Sequence, residues 1–229
     1  DTAAVPMGKT ADLLAREYHL SRREVDEFSL QSQNRYFNAL QAGFFQDEIT
    51  KIPKSGPLER AELNPRKFRT QGADFFEVDE HPRRTTFEKL ETLPFVFTPE
   101  GPTTAGSASG SVDGASSALV ATGEYVRAHG LRPIGKILGV ASAGVEPSRM
   151  GMGPAPAIRL ILKKLQMNLS SIDLFEINEA FGAQCLAVAR ELKLDPEKLN
   201  IHGGAIAMGH PLAATGVRLA TTCLKGLRR

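Results

Sequence analysis

A histidine, His210, lies in a segment whose residue types suit an active-site turn. The segment NIHGGAIAMGHPLAATG, at 200–216, places three glycines, at 203, 204 and 209, before it and Pro211 directly after it. Glycine allows positive φ and close approach of the backbone to a ligand, and proline suits the first turn of a following helix. An imidazole held in this way can accept a proton and then donate a hydrogen bond. A lone histidine in a glycine-rich turn is more often structural than catalytic, so both interpretations remain open.

A second segment, DLFEINEAFGAQ at 173–184, could place polar groups beside such a histidine. It runs from a strand-like apolar stretch into an amphipathic helical pattern. Asn178 and Glu179 fall at the turn between the two. Turns from strand to helix often carry the chemistry of α/β folds. Glu179 is interpreted as a residue that caps its helix or orients its neighbours, rather than as a base.

The first hundred residues contain one clear helical pattern and one long irregular stretch. Residues 10–43 have helical periodicity, with a capping-box signature of Ser21 and Glu24 and a stop at Gly43. Residues 47–53 predict a short strand. The stretch 54–104 is rich in Pro, Arg, Glu and Thr and has little periodicity. A loop of that length predicts a functional excursion such as a lid or a binding loop.

The rest of the chain alternates between helical and strand-like patterns. Residues 103–120 are small and glycine-rich, so backbone there can approach a ligand closely. The predicted order that follows is a helix to about His129, a strand at 134–145, a helix at 154–168, a strand at 172–178, a helix at 179–192, a strand at 199–202 and a helix at 213–227. Such alternation is typical of an α/β layered sheet.

Composition excludes several classes of protein. The 229 residues are 41% hydrophobic and 24% charged, which is ordinary for one or two globular domains. A net charge of +2 spread along the chain gives no footprint for nucleic acid, and no apolar run is long enough to span a membrane. Two cysteines, Cys185 and Cys223, do not make a disulfide framework and are interpreted as small buried hydrophobes. No metal site is expected.

The two chemical segments together resemble the C-terminal signatures of thiolases. These signatures are NEAF at 178–181 and the pattern NxxGGAxAxGHP at 200–211. The resemblance extends over essentially the whole chain, through PMGKTAD at 6–12, SRREVDEFSLQSQ at 21–33, DEHPR at 79–83, TTAGSASGSVDGA at 103–115 and MGMGPAP at 150–156. It is strongest to the 3-ketoacyl-CoA thiolases of fatty-acid β-oxidation. The acetoacetyl-CoA thiolases share most of these motifs.

The resemblance implies a layered α/β/α/β/α fold of two similar halves, incomplete in this chain. Residues 1–102 would form the loop region that covers the coenzyme A site. Residues 103–132 would end the N-terminal half, and 133–229 would form the C-terminal half without its last strands. Relatives also imply a homodimer or tetramer, and membership of a β-oxidation complex is a further possibility. The compartment would be the cytoplasm in a bacterium and the mitochondrion or peroxisome in a eukaryote.

The resemblance also implies a reaction and assigns residues to it. A reactive cysteine attacks a 3-ketoacyl-CoA, acetyl-CoA leaves, and coenzyme A, a substrate rather than a bound cofactor, takes up the shortened acyl group. His210 matches the histidine that activates the cysteine and then donates to the thioester oxygen. Asn178 matches the asparagine that anchors a water beside it. Positions that match contacts to coenzyme A or its acyl chain are Met7, Arg83, Phe97, Ala105, Ser109 and Phe181.

Several of these positions have simpler alternatives. Met7, Phe97 and Phe181 could be ordinary core residues, and Arg83 could be one of two adjacent surface arginines. His202 replaces an asparagine frequent in the family and is a candidate for shaping the pocket.

The two reactive cysteines of the family have no counterpart in this sequence. The resemblance puts the nucleophile before Asp1 and the second thiol in a C-x-G motif beyond Arg229. The chain therefore resembles a central and C-terminal fragment, which alone should not catalyse thiolysis. Two further hypotheses are a non-catalytic protein that binds coenzyme A or acyl-CoA, and a module for oligomer or complex assembly.

Overall fold

The computed structural model describes residues 5–53 and 74–228. The predicted helical stretch at 10–43 is in fact two helices, α1 at Met7–Glu17 and α2 at Arg22–Gln41. The prediction missed the break because His19 adopts a left-handed backbone conformation, with φ of 51°, that no sequence periodicity reveals. The capping box is confirmed: Ser21 accepts from the Glu24 backbone, and the Glu24 carboxylate accepts from the Ser21 backbone.

The later elements are mostly helices. Two short strands, β1 at Ile52–Pro53 and β2 at Phe75–Phe76, pair antiparallel. The remaining α-helices are α3 at Phe87–Glu91, α4 at Gly123–Ala128, α5 at Pro154–Leu165, α6 at Gly182–Leu192, α7 at Ala205–Met208 and α8 at Thr215–Gly226. Short 3-10 helices lie at Pro147–Met152, Leu169–Ser171 and Pro196–Lys198. None of the described helices is long and apolar enough to cross a membrane.

Three of the predicted strands are not formed as strands. The backbones of residues 172–178 and 199–202 form a single parallel bridge, between Phe175 and Leu199, and 134–145 carries no strand at all. A strand is defined by a hydrogen-bonded neighbour, and the described residues supply no such neighbour to 134–145. The predicted strand at 47–53 likewise contracts to β1.

The segment 134–145 nevertheless lies against two helices. A Cβ on Gly135 would contact Leu224 of α8, and one on Gly139 would contact Ile161 of α5. The segment also leaves large apolar side chains exposed, among them Ile134, Ile137, Leu138 and Val140. Exposed apolar area of this kind favours association with other polypeptide surfaces.

The main core surrounds α6, the helix that follows the NEAF segment. Helix α6 packs against α1, α2 and α5. On the strand-like side, Phe175 and Ile177 are buried in the same cluster as Leu14 and Val188. The turn between 177 and 182 is therefore fixed by core packing at both ends. Of the predicted lid at 54–104, residues 54–73 lie outside the described part, and the lid remains a prediction.

Candidate active site

The backbone of His210 is fixed by a glycine and by a neighbouring segment. Gly209, which ends α7, has a φ of 86°, and a Cβ there would lie 2.6 Å from Val112. Only glycine suits such a position. The His210 backbone N–H donates to the Gly110 carbonyl at 2.8 Å, and His210 forms a parallel bridge with Ser111. The histidine thus lies against the glycine-rich segment 103–115.

The imidazole of His210 is oriented by Thr215, at the start of α8. The Thr215 hydroxyl lies 2.7 Å from Nδ1 of His210 and donates its only proton to the Pro211 carbonyl at 3.0 Å. With the hydroxyl proton on that carbonyl, Nδ1 carries the proton that the hydroxyl accepts, and Nε2 keeps a lone pair. Burial, with a smaller contribution from Arg218, lowers the pKa of His210. A neutral imidazole with a basic Nε2 is the form that can accept a thiol proton.

Asn178 lies beside this nitrogen. Its Nδ2 is 3.5 Å from Nε2 of His210, a long contact that holds the two groups together only weakly. Its Oδ1 is buried and accepts no hydrogen bond from the residues that the structure describes. Leaving a buried amide oxygen unpaired costs about 1–3 kcal/mol, so this atom is suited to a water or a ligand group. The water predicted from the family would satisfy it.

Glu179 points away from the reacting groups into a buried network. Its side chain is bonded by Ser32, Asn200 and the backbone of Ile206. Burial raises its pKa while these hydrogen bonds oppose the rise. Helix α6 has Phe181 as its N-cap and no side-chain cap. Of the two roles considered for Glu179, the contacts match the orienting of neighbours and not the capping of α6.

Four of the six predicted coenzyme A contacts lie in one cluster. The backbone N–H and the hydroxyl of Ser109 both donate to the Ala180 carbonyl at 3.1 Å. The ring of Phe181 packs edge-on against Phe97, with centroids 5.6 Å apart. Phe97 in turn covers Gly8 at the start of α1, next to the 46% exposed Met7. Ser109 directly precedes Gly110, whose carbonyl accepts from the His210 backbone N–H.

Ala105 and Arg83 are placed differently. Ala105 is exposed and follows Thr104, which pairs with Phe95 in an antiparallel bridge. Arg83 is exposed, and its backbone N–H donates to Gln33 of α2 at 2.9 Å. The Gln33 amide also donates to the Ile206 carbonyl at 3.2 Å. Arg83 is therefore tied to α2 and α7 rather than to the cluster around Ser109.

The two cysteines are unsuited to act as nucleophiles. Cys185 is 0% exposed, and burial raises its pKa well above the ordinary value. Cys223 is half-buried, and burial raises its pKa too. Because the thiolate is the reactive form, both shifts suppress reactivity. The interpretation of Cys185 as a buried hydrophobe is confirmed.

Two buried ionisable side chains, Glu176 and Arg218, lie close to each other. Glu176 Oε2 is 3.7 Å from Arg218 Nη1, too long for a hydrogen bond. Burial raises the pKa of Glu176 to about 8, with the Arg218 charge opposing the rise. Burial also lowers the pKa of Arg218. Within 5–53 and 74–228, no group of three or more His, Cys, Asp or Glu side chains is placed to hold a metal ion.

The sequence did not assign roles to Thr215, Ser32 or Asn200. Asn200 opens the quoted pattern at 200–211, so its place in the motif was a usable signal. Thr215 lies five positions after His210, across the start of α8, and only the folded turn brings them together. Ser32 is separated from Glu179 by most of the chain, and periodicity gives no signal of that contact.

Known protein families match the chain on both sides of the site, including the segments that carry Asn178 and His210. The N-terminal domain model of thiolase matches residues 2–124, and the C-terminal domain model matches residues 131–229. Mitochondrial 3-ketoacyl-CoA thiolase of Bos taurus is 44% identical over 98% of this chain and 54% of its own length. Beta-ketoadipyl-CoA thiolase of Pseudomonas aeruginosa is 45% identical over 98% of this chain and 53% of its own. The chain spans about half the length of the curated relatives it matches.

Solved structures of thiolases are similar to this chain along nearly its whole length. Human mitochondrial 3-ketoacyl-CoA thiolase superimposes with a TM-score of 0.88 at 40% identity, covering 100% of this chain and 54% of the other. Its complex with CoA gives 0.85 at 39% identity, with the same coverage. Acetyl-CoA acetyltransferase of Bacillus anthracis gives 0.86 at 40% identity, covering 98% and 54%. The predicted thiolase-like α/β fold is confirmed, and both domain models and the identities show that the chain belongs to the thiolase family.

Proposed function

We propose that this chain supplies the histidine and asparagine side of a 3-ketoacyl-CoA thiolase site. The whole enzyme would cleave a 3-ketoacyl-CoA with coenzyme A, giving acetyl-CoA and a shortened acyl-CoA. The observation that carries the proposal is the placement of the His210 ring, whose Nδ1 lies 2.7 Å from the Thr215 hydroxyl and whose Nε2 lies 3.5 Å from the Asn178 amide. A Bos taurus relative named 3-ketoacyl-CoA thiolase supports the choice of reaction.

His210 would serve two steps of this reaction. Nε2 accepts the proton of a cysteine thiol as its sulfur bonds to the 3-keto carbon. The bond between C2 and C3 then breaks, its electron pair forms the enolate of acetyl-CoA, and the second thiol that the family resemblance implies protonates that enolate. The shortened acyl group stays on the cysteine sulfur until the thiol of coenzyme A takes it up. The protonated Nε2 donates to the thioester oxygen as negative charge grows there, assisted by a water bound to Asn178. Each preorganised donor of this type lowers the barrier by about 3 kcal/mol.

Coenzyme A would bind along the surface formed by the loop region and the NEAF turn. Ser109 would contact the pantetheine arm, and Met7, Phe97, Ala105 and Phe181 would line the pocket. Arg83, exposed beside Arg84, would meet the phosphate and adenine end. A solved human relative that carries CoA supports a site for this ligand in the fold. The whole protein would act as a homodimer or tetramer, in the mitochondrion or peroxisome of a eukaryote or the cytoplasm of a bacterium.

A second function is favoured by one observation, the burial and raised pKa of both thiols in this chain. On its own, the 229-residue chain would bind coenzyme A or acyl-CoA without cleaving the substrate.

Two measurements separate these functions. Calorimetric titration of the 229-residue chain with coenzyme A tests binding, with bovine serum albumin as a control for nonspecific heat. Thiolysis of acetoacetyl-CoA by the complete translation product of the gene tests catalysis. Micromolar binding together with thiolysis supports the enzyme. Binding without thiolysis supports the second function, and absence of both contradicts the two proposals.

A further inference from the structure

The side chain of Asn200 forms hydrogen bonds to the residues on both sides of Asn178. Its Oδ1 accepts from the Ile177 backbone N–H at 2.9 Å, and its Nδ2 donates to the Ile177 carbonyl at 2.9 Å. The same Nδ2 donates to Oε1 of Glu179 at 2.9 Å. The residue before Asn178 and the residue after it are therefore held by one amide.

The hydrogen-bond network of Asn200 and Glu179 extends to α7, the helix that precedes His210. Oε2 of Glu179 accepts from the Ser32 hydroxyl at 2.7 Å and from the Ile206 backbone N–H at 3.1 Å. The Ser32 hydroxyl accepts from the Gly204 backbone N–H at 3.0 Å. Ile206 belongs to α7, which ends at Met208, and its C-cap Gly209 directly precedes His210. One buried network thus fixes the turn that carries Asn178 and the turn that carries His210.

The asparagine side chain can form all three hydrogen bonds because it has one amide oxygen and one amide NH2 group at the right distance. Ile177 needs an acceptor for its N–H and a donor for its carbonyl, while Oε1 of Glu179 needs a donor besides the two that serve Oε2. An aspartate at 200 would lose both donors and place a like charge against Glu179. Asn200 is also 2% exposed and adopts a left-handed backbone conformation, with φ of 47°, which asparagine tolerates better than most residues.

Core packing of the neighbouring residues does not by itself fix the direction of the Asn178 side chain. Phe175 and Ile177 anchor one side of the segment in the core. Among the described residues, the only hydrogen-bonding contact of the Asn178 side chain is the long one to His210. Its direction therefore depends on the backbone at 177–179, which the Asn200 amide holds. A shift of about 1 Å in a catalytic geometry can cost a hundredfold in rate.

We propose that Asn200 is a positioning residue for the Asn178 and His210 pair, acting through Ile177 and Glu179. The kinetic effects expected from this proposal rest on the proposed thiolase function. The structural effects rest only on the hydrogen bonds described above. Asn200 contacts neither substrate nor the reacting atoms. Its role is to set the direction of the Asn178 amide.

The first test compares Asn200→Asp with the double variant Asn200→Asp/Glu179→Gln. The single variant removes two donors and adds a charge, whereas the glutamine in the double variant can donate to the new carboxylate and restore the link between 179 and 200. Asn168→Asp, at an exposed position whose side chain makes no cap bond, is the matched control. Turnover, the CoA dissociation constant and the melting temperature are measured for the complete translation product.

We expect kcat of Asn200→Asp to fall at least about tenfold, with CoA binding within about twofold of the original protein. The double variant should recover at least about threefold of the lost rate, and the control should match the original protein. A loss of kcat and CoA binding in the same proportion, or no recovery in the double variant, would contradict positioning. If Asn200→Asp fails to fold, the double variant is compared with the original protein, and its failure to fold too would also contradict positioning.

A second readout does not depend on activity. The His210 ring signals are followed by NMR in the 229-residue chain, which has five histidines. Asn178→Ala should shift those signals in the original background and shift them less than half as much in the Asn200→Asp background. Equal shifts in both backgrounds would overturn the proposal. An inactive protein that still shows unequal shifts would reject the thiolase function while retaining the role of Asn200.

Discussion

The hydroxyl of Thr215 lies 2.7 Å from Nδ1 of His210 and gives its own proton to the Pro211 carbonyl. Because a hydroxyl has one proton, this arrangement selects the imidazole tautomer with the proton on Nδ1. The contact spans the start of α8, so the helix itself orients the ring. The histidine is then prepared to accept a proton at Nε2 before any substrate binds.

Thr215→Val should therefore impair turnover without impairing coenzyme A binding. Valine has nearly the same shape but cannot accept from Nδ1, so part of the population would adopt the wrong tautomer. We expect kcat to fall about tenfold or more, while Thr215→Ser stays within about threefold of the original protein. Steady-state kinetics with nitrogen-15 NMR of the ring checks this. A valine variant with unchanged kcat would show that the hydroxyl does not control the tautomer.

Much of this site could be predicted from local sequence, and the rest could not. The glycine-rich turn of His210 and the strand-to-helix turn of Asn178 carry recognisable residue types within a few positions. Asn200 and Ile177 are 23 residues apart, and Ser32 and Glu179 are 147 apart, so those bonds exist only after folding. The strand predicted at 134–145 failed for a related reason, since strand pairing depends on a neighbour that local pattern cannot supply.

Gly8→Ala should weaken both the fold and the coenzyme A surface. A Cβ at this position would lie 2.3 Å from the Phe97 ring, so the ring must move and its packing on Phe181 is lost. Overpacking of this kind costs about 1–3 kcal/mol of unfolding free energy. Thermal unfolding and calorimetry with coenzyme A provide the measurement.

Gly216→Ala is the matched control for this prediction. Gly216 lies in α8, and a Cβ there meets no atom of the described residues within 4 Å. Alanine in a helix interior is favoured over glycine by about 1 kcal/mol, so this variant should be at least as stable as the original. If Gly8→Ala proved as stable as Gly216→Ala, the packing of Phe97 described above would be wrong.

We expect the free energy of unfolding to fall as the pH rises, because of the buried carboxyl group of Glu176. Burial raises its pKa to about 8 from an ordinary value of 4.5. The folded state therefore holds the proton more tightly than the unfolded state. The resulting stabilisation is complete below pH 4.5 and is lost as the pH rises through about 8.

Glu176→Gln should reduce this dependence, because glutamine stays neutral at every pH. We expect the melting temperature of the variant to match the original protein near pH 5 and to exceed it near pH 8.5. Glu100→Gln, at an exposed position, should leave the pH profile unchanged. A Glu176→Gln profile as steep as that of the original protein would exclude Glu176 as a source of the dependence.

The most direct test of the proposed function is the turnover of His210→Ala compared with the original protein, measured on the complete translation product. Alanine removes both the proton acceptor and the oxyanion donor, while the surface around Ser109 and Phe181 is left in place. We expect kcat to fall at least about a hundredfold, with the CoA dissociation constant nearly unchanged. A loss of only a few-fold in kcat would contradict the catalytic role of His210.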